Sequence, residues 1–178
     1  MRRLALMLAV VALTGCAHSE QATPPLTYPL QLVPADTPGY EFTKQASLEK
    51  KFAVKANGSI ITGGRLYTIR SGASVEGSFQ TTLFAKGVSN QDPGVQKGIL
   101  NGLGGGGRGF TTVHLGLAKL LTAPNEDEIY YVWFPPQHNV MELFVLRAGF
   151  TGGGQLVRSL VGAQLGITVP PPSPGGSS

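Results

Sequence analysis

Hydrophobic residues along this chain follow two different periods, separated by stretches that follow none. Residues 4–13 form an almost unbroken apolar run directly behind Arg2 and Arg3. From residue 17 onward Pro24, Pro25, Pro29, Pro34 and Pro38 interrupt any pattern. Strand-like segments come next. Residues 59–62 and 65–70 read as two strands flanking Gly63-Gly64, a pair that tolerates the positive φ of a two-residue hairpin turn. Residues 75–86 are β-favouring, with Val75, Gly77, Phe79, Thr81 and Leu83 on one face. At Asp92-Pro93 the period changes: Asp92 suits an N-cap and Pro93 the first helical position. Val95, Ile99, Leu100 and Leu103 then form an apolar stripe, and Gly104 ends it. Residues 110–115 return to a strand, while 117–121 fit either its extension or a helical turn. A turn is expected over 124–128. Residues 129–134 and 140–147 are the clearest strands, joined by Pro135-Pro136-Gln137-His138-Asn139. Over 155–165, Leu156, Val157, Leu160, Val161 and Leu165 recur at helical spacing, as an amphipathic helix lying on a sheet would require. A further short helix fits residues 47–56.

The resulting order, ββ, β, α, βββ, α, has consecutive strands with short links. That favours an α+β domain: a mainly antiparallel sheet with two helices packed on one face, a two-layer sandwich. The domain is expected over residues 40–168. Residues 16–39 read as a proline-rich tether with a reach on the order of 70–80 Å at about 3.3 Å per residue. The Pro/Gly/Ser-rich residues 169–178 read as a disordered tail.

The apolar run at 4–13 is too short to cross a hydrocarbon core roughly 30 Å thick, which takes about twenty residues. It has the length of a signal-peptide core behind a positive start. Leu13-Thr14-Gly15-Cys16 follows it at once and resembles the lipobox of bacterial lipoproteins, and Cys16 is the single cysteine of the chain. The resemblance implies that residues 1–15 are a signal peptide, that Cys16 becomes the new first residue, and that its thiol carries diacylglycerol. A lone thiol has no internal disulfide to make. Two or three acyl chains, at about 0.8 kcal/mol per buried methylene, give durable membrane attachment. The expected place is the cell envelope, on the extracytoplasmic side. Ala17 follows the cysteine where an Asp would resemble an inner-membrane retention signal, so the outer membrane is favoured if the source is Gram-negative.

Charge then narrows the partners. The chain carries 14 Lys and Arg against 10 Asp and Glu, a net +4 that falls to +2 once Arg2 and Arg3 leave with the signal peptide. So small an excess gives no reason to expect nucleic acid. Charged residues make up 13% of the sequence, against roughly 25% in typical domains. With 25 glycines, that balance suits a sheet-rich domain with tight turns.

Candidate chemistry is sparse. Gly102-Leu103-Gly104-Gly105-Gly106-Gly107 satisfies GxGxxG, but a phosphate cradle needs a strand before the loop and a helix after it. Here the helix comes first, so a linker is the expected role. His138 and Glu142 are two candidate ligands at most, fewer than a zinc site uses; His114 falls in a strand and His18 in the tether. There is no GxSxG or HExxH motif, and nothing calls for a metal or a cofactor. The acids Glu41, Glu49, Glu76, Asp92 and Glu142, with the Glu126-Asp127-Glu128 turn, show no pairing that picks out a catalytic couple. Glu142 lies among Val140, Phe144 and Leu146 and must either face an edge or be a paired, buried carboxylate. In Tyr130-Tyr131-Val132-Trp133-Phe134, alternation puts Tyr131 and Trp133 on one face. If helices cover only the other face, these two form an aromatic platform for a sugar ring or a protein partner. Otherwise the strand is central and covered on both sides.

Taken together, the sequence leads us to expect a membrane-anchored envelope lipoprotein whose domain is a non-catalytic binding or assembly module for an envelope protein or cell-wall glycan. The alternatives are a small envelope hydrolase with a dispersed active site and a carrier of an apolar small molecule.

Overall fold

The computed structural model describes residues 37–46, 60–104, 109–115, 118–136 and 138–165. The expected signal peptide, Cys16, most of the tether, the helix at 47–56 and the tail lie outside the described residues.

Seven strands form one antiparallel sheet: β1 (Glu41–Lys44), β2 (Ile61–Ser71), β3 (Ser74–Phe84), β4 (Thr111–Leu115), β5 (Ala118–Asn125), β6 (Glu128–Trp133) and β7 (Val140–Arg147). Their spatial order is β1-β2-β3-β7-β6-β5-β4. Two meanders, β1 to β3 and β4 to β7, therefore meet where β3 pairs with β7. Helix α1 (Pro93–Leu103) lies in the connection between the meanders, and α2 (Gly153–Gln164) follows β7. Among the described residues, the expected α+β class with a mainly antiparallel sheet and two helices is what the chain adopts.

The helices, however, take opposite faces of the sheet rather than sharing one. Leu156, Val157, Leu160 and Val161 of α2 pack with Phe144 and Leu146 of β7, Trp133 of β6 and Phe79 of β3. Ile99 of α1, with Val95, Leu100 and Leu103 beside it, packs with Met141 and Leu143 of β7, Val132 of β6 and Phe134 just after it. Successive residues of a strand point to opposite faces, so these two clusters lie on the two sides. The cause is visible in β7, where Val140 through Leu146 is apolar except for Glu142. A strand without alternation is one covered on both sides.

Local chemistry explains most element ends. Asp92 caps α1 as expected, its Oδ1 accepting from the backbone N–H of Gly94 at 2.7 Å and of Val95 at 3.1 Å. The N–H of Gly104 donates to Leu100 O at 2.9 Å and closes the helix. Residues 118–121 take the strand option rather than the helical one. In β5, Pro124 is a strand residue, not part of the turn; the bend is Glu126-Asp127, between the paired Asn125 and Glu128. Pro124 lies beyond the last pair that β5 makes with β4, Thr122 with Thr111, so its missing N–H interrupts no ladder there.

Gly63-Gly64 forms no hairpin turn. Both glycines run inside β2, opposite Leu83 and Thr82, beside a register irregularity. The reversal falls at Gly72-Ala73, where Gly72 has φ +57°. Turning there lets two eleven-residue strands pair along their length, which a turn at residue 63 would forfeit. A second irregularity, between Ile69 and Arg70, breaks the expected alternation in β3. Phe79 and Thr81 are buried, but Val75 is 36% exposed and Glu76 is buried in its stead. Gly77 (φ +153°) is indispensable at this bulge, since a Cβ would lie 2.1 Å from Val145 O.

Candidate functional site

The aromatic pair singled out from the sequence is not a surface platform. Trp133 is 2% exposed and belongs to the cluster beneath α2, with Tyr131 half-buried against it. β6 lies between β5 and β7, and its Val132 is buried on the opposite face under α1. The strand is thus central and covered on both sides, the alternative reading of its alternation. Burial raises the pKa of the Tyr131 hydroxyl, partly offset by the charge of Arg158.

Beside Trp133 stands the one acid of the central strand. Glu142 pairs in register with Trp133 on β6 and with Thr81 on β3, and it is fully buried. Directly opposed residues share a face, so these three form a row beneath α2. Gln164, in the last turn of α2, donates from Nε2 to Glu142 Oε2 at 2.9 Å. Glu142 Oε1, Gln164 Oε1 and Thr81 Oγ1 are buried without a hydrogen-bond partner. Burial pushes the carboxyl from its ordinary 4.5 up to about 8, against the opposing pull of the Gln164 hydrogen bond. An ionised carboxylate in such a site would be strongly disfavoured, so Glu142 holds a proton at neutral pH. Of the two readings the sequence left open, it is the buried carboxylate, and its partner is an amide rather than a cation.

A second polar node joins the loop before α1 to the β6–β7 loop. Asn90, 3% exposed, shares its Nδ2 hydrogens among the carbonyls of Pro135, His138 and Val140 at 2.9, 2.8 and 2.8 Å. Its backbone N–H donates to Asn139 Oδ1 at 2.8 Å, and Asn139 Nδ2 donates to Val88 O at 2.7 Å. Gln91 Nε2 donates to Phe134 O and to Asn90 Oδ1, and Gln96 Nε2 to Asn90 O. This clasp fixes how β6 and β7 enter the sheet above α1.

The remaining sequence candidates are dispersed. His114 is exposed on β4 opposite Lys119. His138 is exposed in its loop while Glu142 is enclosed in the core, so the two do not share a site. Glu76 accepts from Arg147 Nη2 at 2.8 Å in a half-open ion pair. Among the described residues no group of three or more His, Cys, Asp or Glu could hold a metal ion. The glycine run follows α1 and precedes β4, the helix-first order that does not suit a phosphate cradle. Asn90, Thr81 and Gln164 carried no signal in the sequence. An isolated Asn between a strand and a helix reads as loop, and Gln164 meets Glu142 only through the fold.

Compared with protein-family models, curated proteins and solved structures, the chain has no match in any of the three. No helix among the described residues is long and apolar enough to cross a membrane.

Proposed function

We propose that this chain is a lipid-anchored protein of the bacterial cell envelope whose domain serves as a binding or assembly module, without catalysis, for an envelope protein or a cell-wall polymer. The observation that carries the reading is Leu13-Thr14-Gly15-Cys16 directly behind a ten-residue apolar run, with Cys16 the single cysteine. Supporting the non-catalytic part, the one carboxyl with a displaced pKa among the described residues is enclosed under α2 and does not face solvent. A partner would meet a polar surface: among the described residues Val75 is the large hydrophobic side chain left exposed. With Trp133 buried and Tyr131 half-buried, recognition would fall mainly to other side chains.

Fatty-acid labelling tests the anchor. Wild-type protein should incorporate labelled palmitate and fractionate with membranes, while Cys16→Ser should incorporate none and accumulate as uncleaved or soluble precursor. Persistent labelling of Cys16→Ser would overturn the lipoprotein reading. Crosslinking of the acylated protein in its native membrane tests the module, which requires a stoichiometric protein or glycan partner.

A further inference from the structure

The Glu142–Gln164 contact is half of a complementary pair. The amide donates to one carboxyl oxygen at 2.9 Å, and the atom left over on each side is an oxygen, buried and without a partner. Two acceptors cannot bond each other without a hydrogen between them. A carboxylic acid and a primary amide together make a closed two-bond pair, N–H to one carboxyl oxygen and O–H back to the amide oxygen. The acid proton of Glu142, carried on its unpartnered oxygen, is the one hydrogen that would complete such a pair. We propose that Glu142 and Gln164 form a proton-operated latch that holds the last turn of α2 on the sheet while the carboxyl is neutral and releases it when the proton leaves.

Geometry decides which element gives way. Glu142 sits on β7, locked by ladders to β3 on one side and β6 on the other. Gln164 belongs to the end of the helix, where Ala163 is exposed and Gln164 itself half-buried. When the proton passes to solvent, the carboxylate faces the Gln164 oxygen as a second acceptor. It also needs water, which the sheet does not admit and the helix end can. The neighbours offer little compensation. Thr81 and Trp133, the flanking residues in the row, carry no charge. Charged or titratable side chains of this face and its cover, among the described residues, are Tyr40 ahead of β1, Lys44 of β1, Arg65 and Tyr67 of β2, Tyr131 of β6 and Arg158 of α2, with Glu76 near enough to Tyr40 for its charge to act on that hydroxyl. The nearest cation in register, Arg65, pairs with Thr81 and stands two strands from Glu142, about 10 Å at the usual strand spacing. The position of the carboxyl's titration, about 8, would set the latch to act within a mildly alkaline range.

The molecule carries its own reporter, because its single tryptophan is the register neighbour of Glu142. Infrared difference spectra of the full-length chain should show a protonated carboxyl persisting at pH 6–7, disappearing with a midpoint near 8 and absent from Glu142→Gln. Across the same range, Trp133 emission should shift to the red and the protection factors of the amides at the end of α2, measured against the intrinsic exchange rate at each pH, should fall at least tenfold. Glu142→Gln keeps an amide donor in place of the acid proton, so its emission and its protection factors at the end of α2 should stay flat with pH. If Glu142→Gln does not fold, Gln164→Met provides the second arm: the last turn should have low protection factors at every pH. An ionised Glu142 at pH 6, or a Gln164→Met helix end as protected as wild type, would overturn the proposal.

Discussion

Asn90 and Glu142 are both buried polar residues, one in the loop before α1 and the other at the centre of the sheet. They differ in how fully the fold satisfies them. Asn90 is neutral at every pH, and its amide hydrogens reach three carbonyls while its backbone groups are taken by Asn139 and Gln96. Glu142 has one bond, from Gln164, and a second oxygen with no partner. A satisfied buried group makes a rivet, whose strength is independent of solution conditions. A carboxyl that is satisfied only when protonated ties stability to pH. The two clasps also hold different things: Asn90 joins two loops that frame α1, and Glu142 holds the end of α2.

The largest expected effect separates them by pH. The folded carboxyl titrates near 8 and its ordinary value is 4.5, so the folded state binds the extra proton between those values. Stability contributed by Glu142 is fully present below about 4.5, falls as pH rises through the window to 8 and is flat above it. At about 1.4 kcal/mol per pKa unit, the loss across the window reaches about 5 kcal/mol. Urea unfolding at pH 5 and pH 9 should show most of that difference in wild type and little of it in Glu142→Gln. Equal slopes in the two proteins would show that other groups carry the pH dependence.

Second in size is Asn90→Leu, expected to cost about 3 kcal/mol by orphaning the carbonyls of Pro135, His138 and Val140. The comparison is sharpened because this variant should be uniformly weaker, its stability-versus-pH curve running parallel to that of wild type. A curve that changes shape would mean that the two nodes are coupled through β7, where Val140 and Glu142 are two residues apart.

How far these sites could be read beforehand follows from what kind of signal each leaves. Helix α1 was fully legible, because Asp92, Pro93 and the stripe ending at Leu103 are local features acting over one or two turns. The two-sided burial of β7 is written in its unbroken apolar run, yet the helices were expected on one face because nothing local says which side a helix will cover. Gly63-Gly64 misled because a turn signal competes with the length of pairing available, and Gly72 offered a turn that preserved eleven-residue strands. Glu142 was conspicuous as an acid within that apolar run. Its partner was not, since Gln164 lies twenty-two residues further on and meets it only once α2 has folded back. The proposed envelope anchor is of the opposite kind: the proposal rests on four adjacent residues, Leu13-Thr14-Gly15-Cys16, and owes nothing to the fold.

The smallest prediction is also the one with the reversed sign. Asn139→Ala removes an acceptor for the Asn90 N–H and a donor to Val88 O. Its side chain is exposed, so water replaces part of both bonds and the cost should be about 1 kcal/mol. Thr81→Val should instead stabilise. The Thr81 hydroxyl is buried and makes no hydrogen bond, while a valine methyl fills nearly the same volume. Removing an unsatisfied hydroxyl from an apolar site returns on the order of 1 kcal/mol, and valine also suits a strand. A denaturation midpoint that rises for Thr81→Val and falls for Asn139→Ala would separate the incomplete node from the complete one by sign alone. A fall in both would mean that the Thr81 hydroxyl has a partner, most simply a bridging water shared with Glu142. The row Thr81–Glu142–Trp133 would then be a satisfied network like that of Asn90, and loss of the acid proton would cost less than the pH prediction requires.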